Sequence, residues 1–181
     1  MTAARLPEGF RMRRTEPADA DALAQLITTA FGGTEEADLV RALAAAGDVS
    51  LSLVAEDGTG QLLGQILFGP LGIRLDGSDD RDDPIRGRFL APVSVLPDHR
   101  RLGIAAMLIR FGLSRLRAGG AEAVFVLGDP AFYTRFGFSA ERAAGFRCPW
   151  SGPHLMALEL TPEILGDGRG TLTYPPAFGA A

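Results

Sequence analysis

The residues most able to do chemistry lie between Leu90 and Ala105. An apolar run ends at Val95, a short segment carries Arg100 and Arg101, and a helical pattern opens just past Gly103. The first N–H groups of a helix lack intrahelical partners and favour an anion. Gly103 lets the main chain approach that anion closely, because no Cβ intervenes. Arg100 and Arg101 add charge and forked donors suited to phosphate. The segment reads as a diphosphate cradle, or as an ordinary strand–loop–helix with surface arginines.

Other reactive side chains are sparse. Cys148 is the single cysteine, so there is no intrachain disulfide and no cysteine metal cluster. With two histidines, His99 and His154, a three-histidine zinc site is excluded. His99 stands beside the arginines, as a phosphate contact or a surface residue. His154 opens an apolar segment, as a pocket residue or a structural one. Glu36 is a candidate base, although its place in the first turn of a helix already accounts for it. The acidic segment 76–87 lacks the glycine and closing glutamate of a calcium loop, and reads as a solvated hairpin or a lure for a cationic substrate. Trp150 suits a pocket wall or the core.

All 18 basic residues are arginine. The absence of lysine excludes Schiff-base chemistry and a Walker-type phosphate loop. There is no asparagine, which excludes a cysteine–histidine–asparagine triad. A net charge of −4 speaks against a protein that grips nucleic-acid backbones. No stretch has signal-peptide or membrane-spanning character, so a cytoplasmic protein is expected, with no nucleic-acid or membrane partner.

The 181 residues suit one domain with a sizeable core. Strands are predicted at 11–14, 51–55, 62–75 and 89–95, the second long one bending near Gly69 and Pro70. Thr15 and Pro17 open a first helix with apolar spacing at Leu23, Leu26, Ile27 and Phe31, stopped by Gly32 and Gly33. A second helix runs from Thr34 to Ala46, and a third covers 104–117. A buried strand follows at 123–127, then a short helix at 130–135. Further strand character is expected from Phe138 and over 154–160. A C-terminal extension, 161–181, holds a short strand at 170–174 before a loose tail. Antiparallel hairpins therefore come first and a βαβ unit follows.

Arg100-Arg101-Leu102-Gly103-Ile104-Ala105 resembles the Arg/Gln-x-x-Gly-x-Gly/Ala loop of the GNAT acetyltransferases, in the strand–loop–helix setting that the motif requires. Residues 13–19 look like that family's first strand and helix entry, and residues 127–138 look like the segment after its fifth strand. Phe31-Gly32-Gly33, Leu53-Val54-Ala55-Glu56 and Tyr174-Pro175-Pro176-Ala177-Phe178 resemble its YhbS-like branch. The likeness spans nearly the whole chain. It implies the α/β acyl-CoA N-acyltransferase fold, a mixed and mostly antiparallel sheet flanked by helices.

The resemblance also implies a reaction: an acetyl group passes from acetyl-CoA to an amine of a small molecule or peptide by direct attack, without a metal. A bulge in the third long strand would place Val93, Ser94 and Val95 at the cofactor, one of their amides being the oxyanion donor. Arg100, Arg101, Leu102, Gly103, Ile104 and Ala105 would hold the diphosphate. The fourth and fifth strands would splay to admit pantetheine. Tyr133 is the candidate acid for the departing thiolate, since a phenol is protonated at neutral pH. It could instead only position the sulfur, or pack with Phe132 and Phe136. Many family members carry Asn and Ala where this chain has Gly128-Asp129-Pro130, so Gly128 and Asp129 are the less typical cofactor contacts. The resemblance is compatible with a monomer or a homodimer. The alternative function is a non-catalytic acyl-CoA-binding or sensing module on the same fold.

Overall fold

The computed structural model describes residues 6–77 and 84–179. It divides into two compact units, Met1–Phe68 with Pro92–Ser114 and Gly69–Ala91 with Arg115–Ala181. Two strands and one helix run from one unit into the other: β3 (Leu62–Leu75), β4 (Gly87–Val95) and α3 (Ile104–Ala118). The expected bend in the long strand, at Gly69 and Pro70, falls where the first division cuts it.

In the first unit, β1 (Arg11–Arg14) and β2 (Leu51–Glu56) pair antiparallel, Arg11 opposite Glu56. β2 pairs antiparallel with β3 from Leu51–Phe68 to Glu56–Leu62, with a register shift at Ala55/Glu56. Helix α1 (Ala20–Phe31) buries Leu23, Leu26 and Ile27. Helix α2 (Glu35–Ala46) buries Ala37, Val40 and Leu43. The spacing of these residues puts them on one stripe of each helix, which is why both lie down on an apolar surface. Thr15 does not cap α1. A short turn, Pro17–Asp19, precedes the helix, with Glu16 as its cap and Asp19 returning the bond. The Thr15 hydroxyl instead bonds that of Ser52 at 2.7 Å.

Two glycines bring α3 down onto β3. A Cβ on Gly64 would lie 3.0 Å from Ile104 Cγ2 and 3.1 Å from the Ser94 carbonyl, and one on Gly112 would strike the Phe68 ring. Glu56, 2% exposed, is held by Arg11 and by Arg13, whose other nitrogens reach Asp19 at 2.7 and 2.8 Å. A buried carboxylate is tolerable only when paired in this way.

In the second unit, Gly87–Leu90 of β4 runs parallel to Ala123–Val126 of β5 (Ala123–Leu127), and the ladder ends there. β5 pairs antiparallel with β7 (Leu155–Glu159). The end of β3 pairs antiparallel with β8 (Arg169–Thr173), which lies parallel to β6 (Gly145–Arg147). Two short helices, α4 (Pro130–Tyr133) and α5 (Ala140–Ala143), link β5 to β6. Phe125, Phe146, Leu155 and Leu172 are buried at the centre of this unit's core. The strand expected from Phe138 is not formed: that stretch supplies one bridge, Ser139 to Ala157, and then α5, which Ser139 caps. Nor is the tail loose. Tyr174 and Phe178 pack with Phe89 and Trp150 at ring separations of 4.9 to 6.0 Å.

Among the described residues the strand order is β1-β2-β3-β4-β5-β7, with β8 beside β3 and β6 beside β8. The sheet is mixed and mostly antiparallel. Among the described residues, no helix is long and apolar enough to cross a membrane, and no group of three or more His, Cys, Asp or Glu could hold a metal.

Candidate functional site

Pro92, near the end of β4, has no N–H to give to a ladder. Its carbonyl accepts from the side chain of Gln65 on β3, Nε2 to O at 3.2 Å. The same nitrogen reaches Ser94 Oγ at 3.1 Å. Leu96 N–H returns to Leu63 O at 2.9 Å. The Pro92 carbonyl is turned toward Gln65, and across a trans peptide the N–H that follows points the opposite way, so the Val93 N–H points away from Gln65. The Ser94 carbonyl lies beside Gly64 of β3, so by the same geometry the Val95 N–H points away from β3. Of the three residues predicted here, Val93 and Val95 have amides aimed outward, while Ser94 contributes a buried side chain.

The loop after β4 delivers a helix end. Pro97–His99 is a single 3-10 turn. Arg101 has φ +62° and Gly103 has φ +88°. A left-handed arginine is uncommon, and such conformations concentrate where a loop is built for binding. Gly103 in the left-handed region followed by helical Ile104 aims consecutive N–H groups the same way, the geometry of an anion nest. The first-turn amides of α3 have no intrahelical acceptor, and the first helical bond runs from Met107 N–H to Gly103 O at 3.0 Å. No atom lies within 4 Å of where a Gly103 Cβ would stand.

The two arginines differ. Arg100 braces the fold, donating to Ala30 O at the end of α1 at 2.6 Å and to Val95 O at 3.4 Å. Arg101 is exposed and makes no hydrogen bond or ion pair among the described residues, so its guanidinium is the one available to a ligand. Leu102 is half-buried, Ile104 is buried and Ala105 half-buried at the head of α3. His99 lines a cavity of about 460 Å³ with Gln25, Thr29 and Gln61, and its Nδ1 has no partner.

The second unit holds the other predicted residues. β5 ends at Leu127, which is 50% exposed. Gly128 is bracketed by His154: its N–H donates to His154 O at 2.9 Å, and its carbonyl lies 3.3 Å from His154 Nδ1. Asp129 caps α4, its Oδ1 accepting from Ala131 N–H at 2.9 Å. Both His154 and the Asp129 carboxylate therefore have structural work. Tyr133 is 7% exposed, with its ring against Phe132, Phe136 and Phe138. Burial pushes its phenol up to about 12. A Cβ on Gly128 would overlap the Tyr133 ring, so glycine there makes room for it. Glu36 lies half-buried in the first turn of α2, and Trp150 belongs to the aromatic cluster of the tail.

Sequence reasoning missed Gln65. Its signal is slight: one amide within the apolar run Leu62-Leu63-Gly64-Gln65-Ile66-Leu67-Phe68.

The chain belongs to the GNAT acetyltransferases. Residues 11–140 match the model of the "Acetyltransferase (GNAT) domain". Among individual proteins, the chain is 37% identical over 164 residues to the uncharacterized N-acetyltransferase YhbS of Escherichia coli, covering 90% of this chain and 94% of that one. The crystal structure of YhbS in complex with CoA superposes with a TM-score of 0.85 at 31% identity, over 96% of this chain and 94% of the other. A GNAT acetyltransferase from Brucella melitensis in complex with acetyl-CoA gives a TM-score of 0.75 at 35% identity, over 93% and 97% of the two chains.

Proposed function

We propose that this chain is an N-acetyltransferase that moves the acetyl group of acetyl-CoA to an amine of a small molecule or peptide. The turn at Arg101 and Gly103 carries this proposal, because it delivers unpaired helix amides immediately after a strand end with outward N–H groups. The CoA and acetyl-CoA complexes of the two solved relatives support it. The residues suit the donor: the nest and first turn of α3 suit a diphosphate, and Arg101 adds charge. In this scheme Arg100, Leu102, Gly128 and Asp129 shape the binding segments.

The amine nitrogen attacks the thioester carbon, and negative charge builds on the carbonyl oxygen. A Val93 or Val95 N–H stabilises that charge. The C=O bond re-forms as the C–S bond breaks, and the electron pair leaves on sulfur. Tyr133 gives its proton to the sulfur, and the tyrosinate recovers one from the nitrogen of the product. The net change moves one proton from nitrogen to sulfur. A phenol near 12 is a weaker acid than a thiol at roughly 8.5, so the transfer completes only with that recovery. The proposal takes residues 1–181 as one domain acting in the cytoplasm, as a monomer or homodimer, without nucleic acid or membrane.

Thermal unfolding with acetyl-CoA, CoA and ATP tests it. Ligand at ~100 times its dissociation constant adds about 2.7 kcal/mol, a rise of roughly 5–10 °C at this size. A shift with both CoA forms and little with ATP is expected, followed by turnover in an amine panel and its loss in Tyr133→Phe at unchanged affinity. Binding without turnover of any amine would favour the acyl-CoA-binding module. No shift at millimolar acetyl-CoA would overturn both.

A further inference from the structure

Gln65 is the one fully buried amide side chain described in the first unit, at 0% exposure in an apolar strand. Its orientation is set by Pro92. A carbonyl can only accept, so the amide must present Nε2 to it, and the second hydrogen of that nitrogen then goes to Ser94 Oγ. This leaves Gln65 Oε1 buried with no hydrogen-bond partner. Leaving a buried acceptor unsatisfied costs stability. A methionine would fill the same space without that cost, so packing alone does not account for the residue. Polar atoms kept at a cost inside an apolar strand concentrate at functional sites.

The two contacts straddle one residue. Pro92 and Ser94 flank Val93, whose N–H points away from Gln65. The Pro92 carbonyl and the Val93 N–H belong to one planar peptide unit, so the bond from Gln65 Nε2 to that carbonyl bears directly on where the N–H points.

We infer that Gln65 is a positioning residue for acetyl transfer: by gripping Pro92 O and Ser94 Oγ it aims the Val93 N–H at the carbonyl oxygen of the acetyl donor. This rests on the function proposed above. Gln65 touches neither donor nor acceptor. It acts through the main chain, and donor affinity remains with the head of α3 and its loop.

The test is the ¹³C chemical shift of [1-¹³C]acetyl-CoA bound to the full-length protein, which needs no acceptor. In the wild type the bound thioester carbonyl is expected to move downfield of free acetyl-CoA, because a hydrogen bond polarises it. Gln65→Met should return at least half of that displacement while acetyl-CoA affinity stays within about threefold. Ser94→Ala removes one of the two contacts and should return a smaller part in the same direction, which keeps the test open if Gln65→Met folds poorly. With any amine that serves as acceptor, kcat of Gln65→Met should fall about tenfold or more at nearly constant KM for acetyl-CoA. A bound carbonyl shift that neither substitution changes would overturn the role of Gln65 and leave the acetyltransferase proposal standing. Failure of the wild type to bind acetyl-CoA would overturn both, and is a separate observation.

Discussion

Gly103→Ala separates the two tasks of the loop before α3. The glycine has φ +88°, and its missing Cβ would meet no atom within 4 Å. The substitution therefore meets no clash in the protein, and its cost to folding is the left-handed backbone, about 1–2 kcal/mol for a residue with a Cβ. For a chain of this length that lowers Tm by roughly 2–8 °C. In the proposed site the diphosphate would lie against Gly103, where the missing Cβ allows close approach, so a methyl there would crowd the anion. Loss of one charge-assisted hydrogen bond costs about 1.5–3 kcal/mol, or roughly a ten- to hundredfold weaker dissociation constant. The two costs are read in one assay, thermal unfolding with and without acetyl-CoA at ~100 times the wild-type constant. Ligand stabilisation there is about 2.7 kcal/mol in the wild type and about 0.4 kcal/mol after a hundredfold loss. The ligand-induced rise should thus shrink from roughly 5–10 °C to about 1 °C at the upper end of the range. A variant that melts a few degrees lower yet keeps the full ligand-induced rise would refute the anion nest, whatever its activity.

Gly128→Ala forces the Tyr133 ring to move, so kcat measured at saturating acetyl-CoA should fall about tenfold or more. Glu56→Ala removes the buried partner of Arg11, which is solvent-exposed, and of Arg13, which keeps Asp19, so the loss of these charged hydrogen bonds should cost about 1.5–3 kcal/mol in urea unfolding. Asp19 is held below its ordinary value, 3.8, by the Arg13 guanidinium. A depressed carboxylate stabilises the fold above pH 3.8 and loses that contribution as pH falls toward its folded value, so the stability gap between wild type and Asp19→Asn should be full at pH 6 and narrow below pH 3.8.

Much of the fold was legible because period and punctuation agree with tertiary demand. The apolar positions Leu23, Leu26 and Ile27 predict the stripe that α1 buries, and Gly32 ends the helix in the left-handed conformation that a glycine there suggests. Residues 123–127 and 62–75 form strands at the expected bounds. Phe138 misled for a definite reason. An aromatic residue before small residues has strand propensity, but Ser139 binds the Arg142 N–H and turns the chain into a short helix, and a side-chain cap of this kind outweighs propensity. Thr15 misled similarly, since its hydroxyl finds Ser52, 37 positions away, before it can find a helix amide.

The candidate site was legible in its local parts only. A helix start with glycine and arginine is a pattern of neighbours, and a sequence displays neighbours. Arg100 and Arg101 look alike in that pattern, yet one donates to Ala30 O, 70 positions away, and the other has no partner among the described residues. Which arginine is available to a ligand depends on where α1 ends relative to β4, a matter of packing. The same holds for the proposed oxyanion donors. The family resemblance points to Val93, Ser94 and Val95, and the way each amide turns follows only from the fold. The bond from Leu96 N–H to Leu63 O and the contact of the Pro92 carbonyl with Gln65 show which way these groups turn. A proline in a strand announces only that one ladder donor is missing. That its carbonyl meets an amide side chain depends on the paired strand, and here that side chain lies 27 positions earlier in the chain.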